Sequence, residues 1–267
     1  MKIIYTCFPG GRNKALSLSY DDGRIADRRL VAILNKSGIK GTFHINSGFL
    51  GNDGIISAEE VTSLYSGHEV SVHTFNHPTI HRCPKEQVAL QILEDRKRLE
   101  ELVGYSVRGL SYPNGSWSKE IVAMLPGLGI EYARLVGTTG NFEITEDLLT
   151  WRTTCHHKQG LIENTEKLLN LFKKQYLYWY SVWGHSYEFD NDNNWDLIEK
   201  FSEMIGNRDD IWYTTVIGMV DYMKAAEGIR VAVSGNFIEN PSAQPVWLSV
   251  DNKIIEVPAG ETIRLYT

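Results

Sequence analysis

An alternating run from Ala15 to Tyr20 ends in two adjacent carboxylates, Asp21 and Asp22, followed by Gly23. Like charges side by side are costly unless a cation or a proton separates their fates. Further along, "SVHTFNHP" places His73 and His77 four residues apart. On a helical turn that spacing brings both imidazoles to one side, where each nitrogen can reach a single divalent ion at about 2.0–2.1 Å. A catalytic metal takes three protein ligands and leaves a position open for water, and one Asp with two His supplies that set. The paired carboxylates then divide the work, one binding the metal and the other accepting a proton from water. His185, after the aromatic run "LYWYSVWG", is a candidate general acid or base. Pro113-Asn114-Gly115 makes a sharp turn that can aim the Asn114 N–H at a developing oxyanion. Each signal has a bland explanation: an Asx turn for "DDG", incidental surface histidines for His73 and His77, a satisfied core histidine for His185, an ordinary loop for "PNG". What separates them from chance is that all four fall at predicted strand ends.

The elements that must hold these residues alternate along the chain. "ALSLSY", "IKGTFHIN", "HEVSVHT", "VRGLSY", "LLTWRTT", "LYWYSVWGH" and "IWYTT" read as extended. "DRRLVAILNKSG", "SAEEVTSLYSG", the long segment after Pro84, "SKEIVAMLPGLG", "ENTEKLLNLFKKQ", "WDLIEKFSEMIG" and "VIGMVDYMKAAEG" read as helical. Ser57 and Glu60 form a capping box, and Val88, Ile92, Leu99 and Leu102 make the apolar stripe of the long helix. About seven strand–helix pairs predict an α/β fold with a mostly parallel sheet closed into a barrel, whose chemistry sits at the carboxyl ends of the strands. After Gly228 the pattern changes to short strands separated by turns. This gives a main domain over residues 1–227 and a small β appendage over 228–267 that packs on the barrel.

Composition excludes several classes. The 267 residues carry a net charge of −6 without basic blocks, which argues against nucleic acid as a partner. Three cysteines, with no C-x-x-C, argue against a disulfide framework or a thiolate zinc site. No apolar run is long enough to span a membrane, and the stretch "MKIIYTCFPGG" is too short in apolar residues for a signal peptide. The chain as given reads as cytoplasmic, or as extracytoplasmic if a leader has been trimmed.

Taken in order, the four elements resemble the polysaccharide deacetylases of the NodB-homology type, carbohydrate esterase family 4. "SYDDG" is similar to that family's T-F-D-D-G motif, "HTFNHP" to H-[ST]-x-x-H-P and "SYPNG" to R-x-P-Y-G, and "VWGH" stands where L-x-x-H is expected. The resemblance covers roughly residues 14–225. It implies a deformed (β/α) barrel and metal-dependent N-deacetylation of an N-acetylated carbohydrate. Asp21 would be the general base. Asp22, His73 and His77 would bind a divalent metal, zinc first, with cobalt, nickel or iron admitted. The Asn114 N–H would hold the oxyanion, and His185 would protonate the leaving amine.

Two positions depart from the family pattern. Ser111 replaces the arginine that pairs with the base, leaving Arg108 and Arg152 as candidates. "DLLTW", Asp147 to Trp151, has Thr150 where the second Asp of D-x-x-D-W belongs, so His185 must lean on another carboxylate, with Glu188 and Asp190 the candidates. Tyr112, Trp117 and Trp183 are the candidate sugar-contacting side chains, with Tyr187 nearby. The parity of His44 leaves open whether it faces the site. His156 and His157 are adjacent and should diverge, and His68 and His81 are taken as structural. The competing readings are a hydrolase of another amide on this fold, such as a deformylase or cyclic-amide hydrolase, and a catalytically silent carbohydrate-binding protein.

Overall fold

The structure, a computed structural model, describes residues 2–265. In chain order the elements are β1 (Ile4–Cys7), β2 (Lys14–Asp21), α1 (Asp27–Lys36), β3 (Gly41–Ile45), α2 (Ala58–Leu64), β4 (Glu69–Val72), α3 (Lys85–Val103), β5 (Gly109–Ser111), α4 (Lys119–Met124), β6 (Tyr132–Thr138), β7 (Trp151–Thr153) and β8 (Cys155–His156). There follow α5 (Leu161–Leu169), β9 (Tyr178–Gly184), α6 (Tyr187–Asn191), α7 (Trp195–Ile205), β10 (Ile211–Tyr213), α8 (Val216–Glu227), β11 (Arg230–Val231), β12 (Phe237–Glu239), β13 (Val246–Val250), β14 (Lys253–Val257) and β15 (Thr262–Arg264).

Strands β2 to β10 form a parallel sheet that closes on itself. The order runs β2, β3, β4, β5, β6. The stretch Trp151–His156 then pairs with β6 through β7 and with β9 through β8, and β9 returns along β2. Because β9 occupies one edge of β2 throughout, β3 and β10 share the other edge, β10 beside Lys14–Leu16 and β3 beside Leu18–Asp21. This is the deformed α/β barrel the resemblance implies.

All eight residues of β2 are buried, so its alternation does not separate core from solvent. Leu16, Leu18 and Tyr20 pack into the helix layer, while Ser17, Ser19 and Asp21 make hydrogen bonds across the lumen. The same parity, fixed by the strand period of two, puts Phe43 and Val70 outside with His44 and Ser71 inside. The lumen is therefore a polar column that leads to the strand ends where Asp21 and His73 lie.

The capping box at Ser57 and Glu60 opens α2, Pro84 precedes α3, and Gly104 ends α3 with φ of 76°. Helix α5 begins at Leu161, earlier than predicted, and stops at Leu169, where its buried stripe of Leu161, Thr165 and Leu168 runs out. Strand β6 and helix α6 lie where the sequence pattern named no element.

The C-terminal strands form two small antiparallel sheets, and one of them includes the N-terminus: β1 pairs with β13, which pairs with β14. The predicted division at residue 227 coincides with the end of α8, but residues 4–7 join the appendage sheet rather than the barrel. A second apolar cluster joins these sheets to the main body. In it Val246, Leu248 and Val257 meet α8 (Val216, Val220) together with Ala15, Tyr132 and Trp179 at the amino ends of their strands. The appendage thus sits at the opposite end of the barrel from Asp21. Among the described residues no helix is long and apolar enough to cross a membrane.

Candidate active site

Asp21 closes β2 inside the lumen, and Asp22 turns out of the strand with φ of 81°. His73 follows β4 with the inward parity. Its backbone N–H donates to Asp95 Oδ2 at 3.0 Å, and its Nδ1 lies 2.8 Å from the Ser111 carbonyl. A carbonyl only accepts, so the proton sits on Nδ1 and the Nε2 lone pair is free.

His77 reaches His73 through a loop and not, as the spacing suggested, on a helical turn. Thr74 and His77 have φ of 68° and 56°, and the Asn46 side-chain amide donates to the carbonyls of His73 and Thr74, holding the loop folded back. Asp22 Oδ1 then stands 3.6 Å from His73 Nε2 and 3.9 Å from His77 Nε2. Two ligands of one ion at about 2.0–2.2 Å can stand no more than roughly 4.4 Å apart. One carboxylate and two imidazoles at these separations fit a divalent metal with coordination positions left open.

Asp21 is held by an arginine from β6. Arg134 Nη2 donates to Asp21 Oδ2 and, at 2.6 Å, to Ser111 Oγ, while its Nε donates to Ser19 Oγ at 3.0 Å. Ser111 Oγ donates to the same Asp21 oxygen at 3.0 Å. Arg134 is completely buried, with the Trp183 ring over its guanidinium at 4.5 Å. Burial alone would drive the Asp21 pKa up, but the Arg134 guanidinium outweighs it and holds the carboxyl well below its usual range. Its other oxygen, Oδ1, has no hydrogen-bond partner among the described residues. His44, register partner of Asp21, lies below, with Nε2 3.0 Å from Ser19 Oγ. Burial lowers its pKa to about 3, so it is a neutral part of the floor.

Neither arginine considered from sequence reaches Asp21. Arg108 is clamped by Asp221 at 2.7 Å and Glu131 at 3.1 Å, and Arg152 is exposed on β7, whose flanking residues Trp151 and Thr153 face inward.

His185 follows β9 directly. Its Nδ1 is 3.3 Å from Glu188 Oε2, and its backbone N–H donates to that oxygen at 3.1 Å. Burial favours the neutral ring, but the Glu188 contact and the charges of Asp21 and Asp22 outweigh it and raise the His185 pKa. Of the two carboxylates considered for this histidine, Glu188 is the partner. Asp190 instead accepts from Trp195 Nε1 at 2.8 Å, and Asp147 caps its own turn through the Leu149 and Thr150 N–H groups.

Asn114 has φ of 55° in the turn Pro113–Gly115, immediately after the strand end that holds His73, and its side chain donates to Thr79 Oγ1 at 3.2 Å. Two of the candidate sugar contacts are corrected. Ser111 faces the lumen, so Tyr112 faces the helix layer, 1% exposed, with its hydroxyl donating to the Leu149 carbonyl. Trp183 points inward, but its face is taken up by Arg134 and its edge meets His156. Trp117 is 39% exposed and available as a stacking face. A cleft of about 290 Å³ opens beside Asp22 and His77, lined also by Arg24, Asn46, Phe49 and Asn76.

Residues 9–133 match the family model described as polysaccharide deacetylase, with all three metal-type ligands and Asp21 inside the match. Over residues 9–133 the chain is similar to the polysaccharide deacetylase family. The chain is similar to peptidoglycan-N-acetylglucosamine deacetylase PgdA of Listeria monocytogenes, 28% identical over 112 residues, which is 41% of this chain and 23% of that protein. It is also similar to chitin deacetylase 1 of Cryptococcus neoformans, 27% identical over 158 residues, or 57% of this chain and 33% of that one. The chain thus matches a minor part of the length of these relatives. Among solved structures, a CE4 family pseudoenzyme from Bacillus anthracis superposes over 80% of this chain and 66% of its own with a TM-score of 0.50 at 17% identity, a likeness of fold.

Within this fold two residues, Arg134 and Asp95, escaped sequence reasoning, and one expectation, for His156 and His157, is overturned. Arg134 sits on β6, the strand the pattern did not name, although an arginine between Ala133 and Leu135 is a signal for a buried ion pair. Asp95 lies on the buried stripe of α3 with Val88, Ile92 and Leu99, and its carboxylate accepts the N–H groups of Ser47 (2.7 Å) and His73 (3.0 Å). A carboxylate in the middle of an apolar stripe was the available sign. His156 and His157 converge instead of diverging, because β8 ends at His156 and the chain turns: both Nε2 atoms approach Glu188.

Proposed function

We propose that this chain is a metal-dependent hydrolase that removes the acetyl group from an N-acetylated carbohydrate. The observation that carries this is the Asp21 carboxylate, ionised and with one oxygen unpartnered, beside a convergent Asp22, His73 and His77 set. A peptidoglycan-N-acetylglucosamine deacetylase and a chitin deacetylase among the similar proteins support an N-acetylated sugar as the substrate class.

In this reading Asp22 Oδ1, His73 Nε2 and His77 Nε2 hold the ion. When bound, it supplies Lewis-acid polarisation of the acyl oxygen and lowers the pKa of water, together worth several kcal/mol of barrier. Asp21 Oδ1 takes the proton from the attacking water. Arg134 and Ser111 keep Oδ2 occupied, so the carboxylate is oriented and stays charged until that transfer. The Asn114 N–H supports the developing oxyanion. His185 carries its proton on the face away from Glu188 and gives it to the leaving nitrogen, so acetate and a free amine depart. Trp117 offers a stacking face for a sugar ring.

The test is acetate release from N-acetylated sugars, chitin oligomers and peptidoglycan fragments, run with zinc-loaded and chelator-stripped protein. Release that depends on added divalent ion is the expected result. No release from any of these with loaded protein would overturn the reading, and formate released from N-formyl analogues alone would redirect it to a deformylase. His185→Ala should lower kcat about 10²–10⁴-fold, the usual share of a general acid, with zinc content unchanged by elemental analysis.

A further inference from the structure

One carboxylate oxygen gathers an unusual number of imidazoles. Glu188 Oε2 lies 3.1 Å from His156 Nε2, 3.3 Å from His185 Nδ1 and 3.4 Å from His157 Nε2. Its other oxygen faces Lys158 Nζ at 3.5 Å, and that ammonium is held by Asp192 at 2.6 Å. Of these groups His185 alone enters the reaction proposed above.

The proton on His156 can be assigned. The Lys158 backbone N–H donates to His156 Nδ1 at 3.2 Å, so neutral His156 carries its proton on Nε2 and donates it to Glu188. That assignment argues against a second metal centre here, because the Nε2 lone pair an ion would need is absent and the Lys158 ammonium already stands against the carboxylate. His157 is packed between Tyr20 and Phe189, with ring centroids at 5.8 and 4.3 Å, and burial lowers its pKa to about 3, so it flanks the cluster as a neutral ring. The edge-on contact of His156 with Trp183, 4.5 Å between centroids, completes its surroundings.

We infer that His156 is a positioning residue for His185, acting through Glu188: by donating to Oε2 it fixes the carboxylate so that the Nδ1 of His185 stays bonded and its Nε2 stays turned to the site. A carboxylate three residues along from its histidine, on a short helix, needs such a second anchor, because α6 is five residues long and Glu188 is partly accessible. Burial opposes the charge on Glu188, but hydrogen bonds from His156 and then His185 outweigh it and keep the carboxyl ionised. The role rests on the deacetylase reading for its kinetic consequence but not for its structural one.

The experiment is a double-mutant cycle with a second readout that needs no turnover. His156→Phe should lower kcat about 10-fold, within the range of coupling between contacting groups, with KM and zinc content unchanged. His156→Gln, whose amide can donate from nearly the same place, should recover most of that loss. In a Glu188→Gln background, His156→Phe should add less than about 2-fold. In ¹⁵N-histidine NMR of metal-free protein, His185 should be the Nδ1–H tautomer when neutral and become a mixture in His156→Phe. If that variant does not fold, His156→Asn, too short to reach Glu188, replaces it. Multiplying losses in the cycle, an unchanged His185 tautomer, or a second equivalent of bound zinc that His156→Phe abolishes would each overturn the inference. Failure of the deacetylase reading would appear instead as no acetate release from any of the substrates named above by metal-loaded wild-type protein, with the tautomer measurement still intact.

Discussion

Asp21→Asn should fold and bind its metal ion yet lose turnover by about 10⁴-fold, the upper end of what a positioned base contributes. The substitution is nearly isosteric. Its amide oxygen can still accept from Arg134 and Ser111 if the carbonyl takes the Oδ2 position. The atom then placed at Oδ1, where the carboxylate has no partner, is an amide nitrogen that cannot take a proton from water. Asp22, His73 and His77 are untouched, so zinc stoichiometry by elemental analysis should stay at the wild-type value while kcat collapses. Loss of the metal with the activity would mean that the two carboxylates have exchanged roles.

Arg134→Met should be the most damaging single change to the fold that the site permits. Arg134 is fully buried and bonds to Ser19, Ser111 and Asp21, and it carries the face of Trp183. Removing it leaves the Asp21 charge buried without its counter-ion, a loss of about 3–5 kcal/mol. In a chain of this size that corresponds to a fall of roughly 10–15 °C in Tm. Asp21 would then escape the penalty by protonating, which also removes the proposed base, so acetate release should fall with stability. The double variant Asp21→Leu, Arg134→Met separates the two effects: thermal unfolding should recover much of the lost stability, since no charge remains to be stranded, while activity stays absent. A Tm within about 2 °C of wild type for Arg134→Met alone would contradict the pairing.

What the sequence made visible, and what it hid, follows the physics of the barrel. The metal-type ligands were legible because each lies within a few residues of a recognisable strand end, and the chemistry constrains residue type. The pairing of Asp21 was not. The wall that holds it is built from side chains on neighbouring strands, Ser19, Ser111 and Arg134, that share only inward parity. In a strand whose two faces are both buried, alternation no longer marks a wet side, so Ser17 and Ser19 on β2 read like the polar half of an amphipathic strand when they line the lumen. The same ambiguity left His44 unassigned until its register with Asp21 was known. Strand β6 escaped because Arg134 breaks an otherwise apolar run, and the loop after Gly137 offered no clear boundary. The corrected Tyr112 and Trp183 were proposed from proximity to the motifs. Parity sends the first outward, and the guanidinium of Arg134 covers the face of the second.

Asp22, Thr74, His77 and Asn114 all hold left-handed backbone, with φ of 81°, 68°, 56° and 55°. For residues with a side chain that conformation is unfavourable by roughly 1–2 kcal/mol, and glycine would adopt it freely. The loops that surround the proposed reaction centre are therefore built against the local preference of their own residues, and at Asp22 and His77 glycine, though conformationally easier, would delete the ligand. Local strain and functional need point to the same positions. Asn193, Asn207, Asp251 and Asn252 hold the same backbone away from this rim, so the conformation alone does not mark a site; within the proposed one it shows where the chain accepts a local cost to keep a particular side chain.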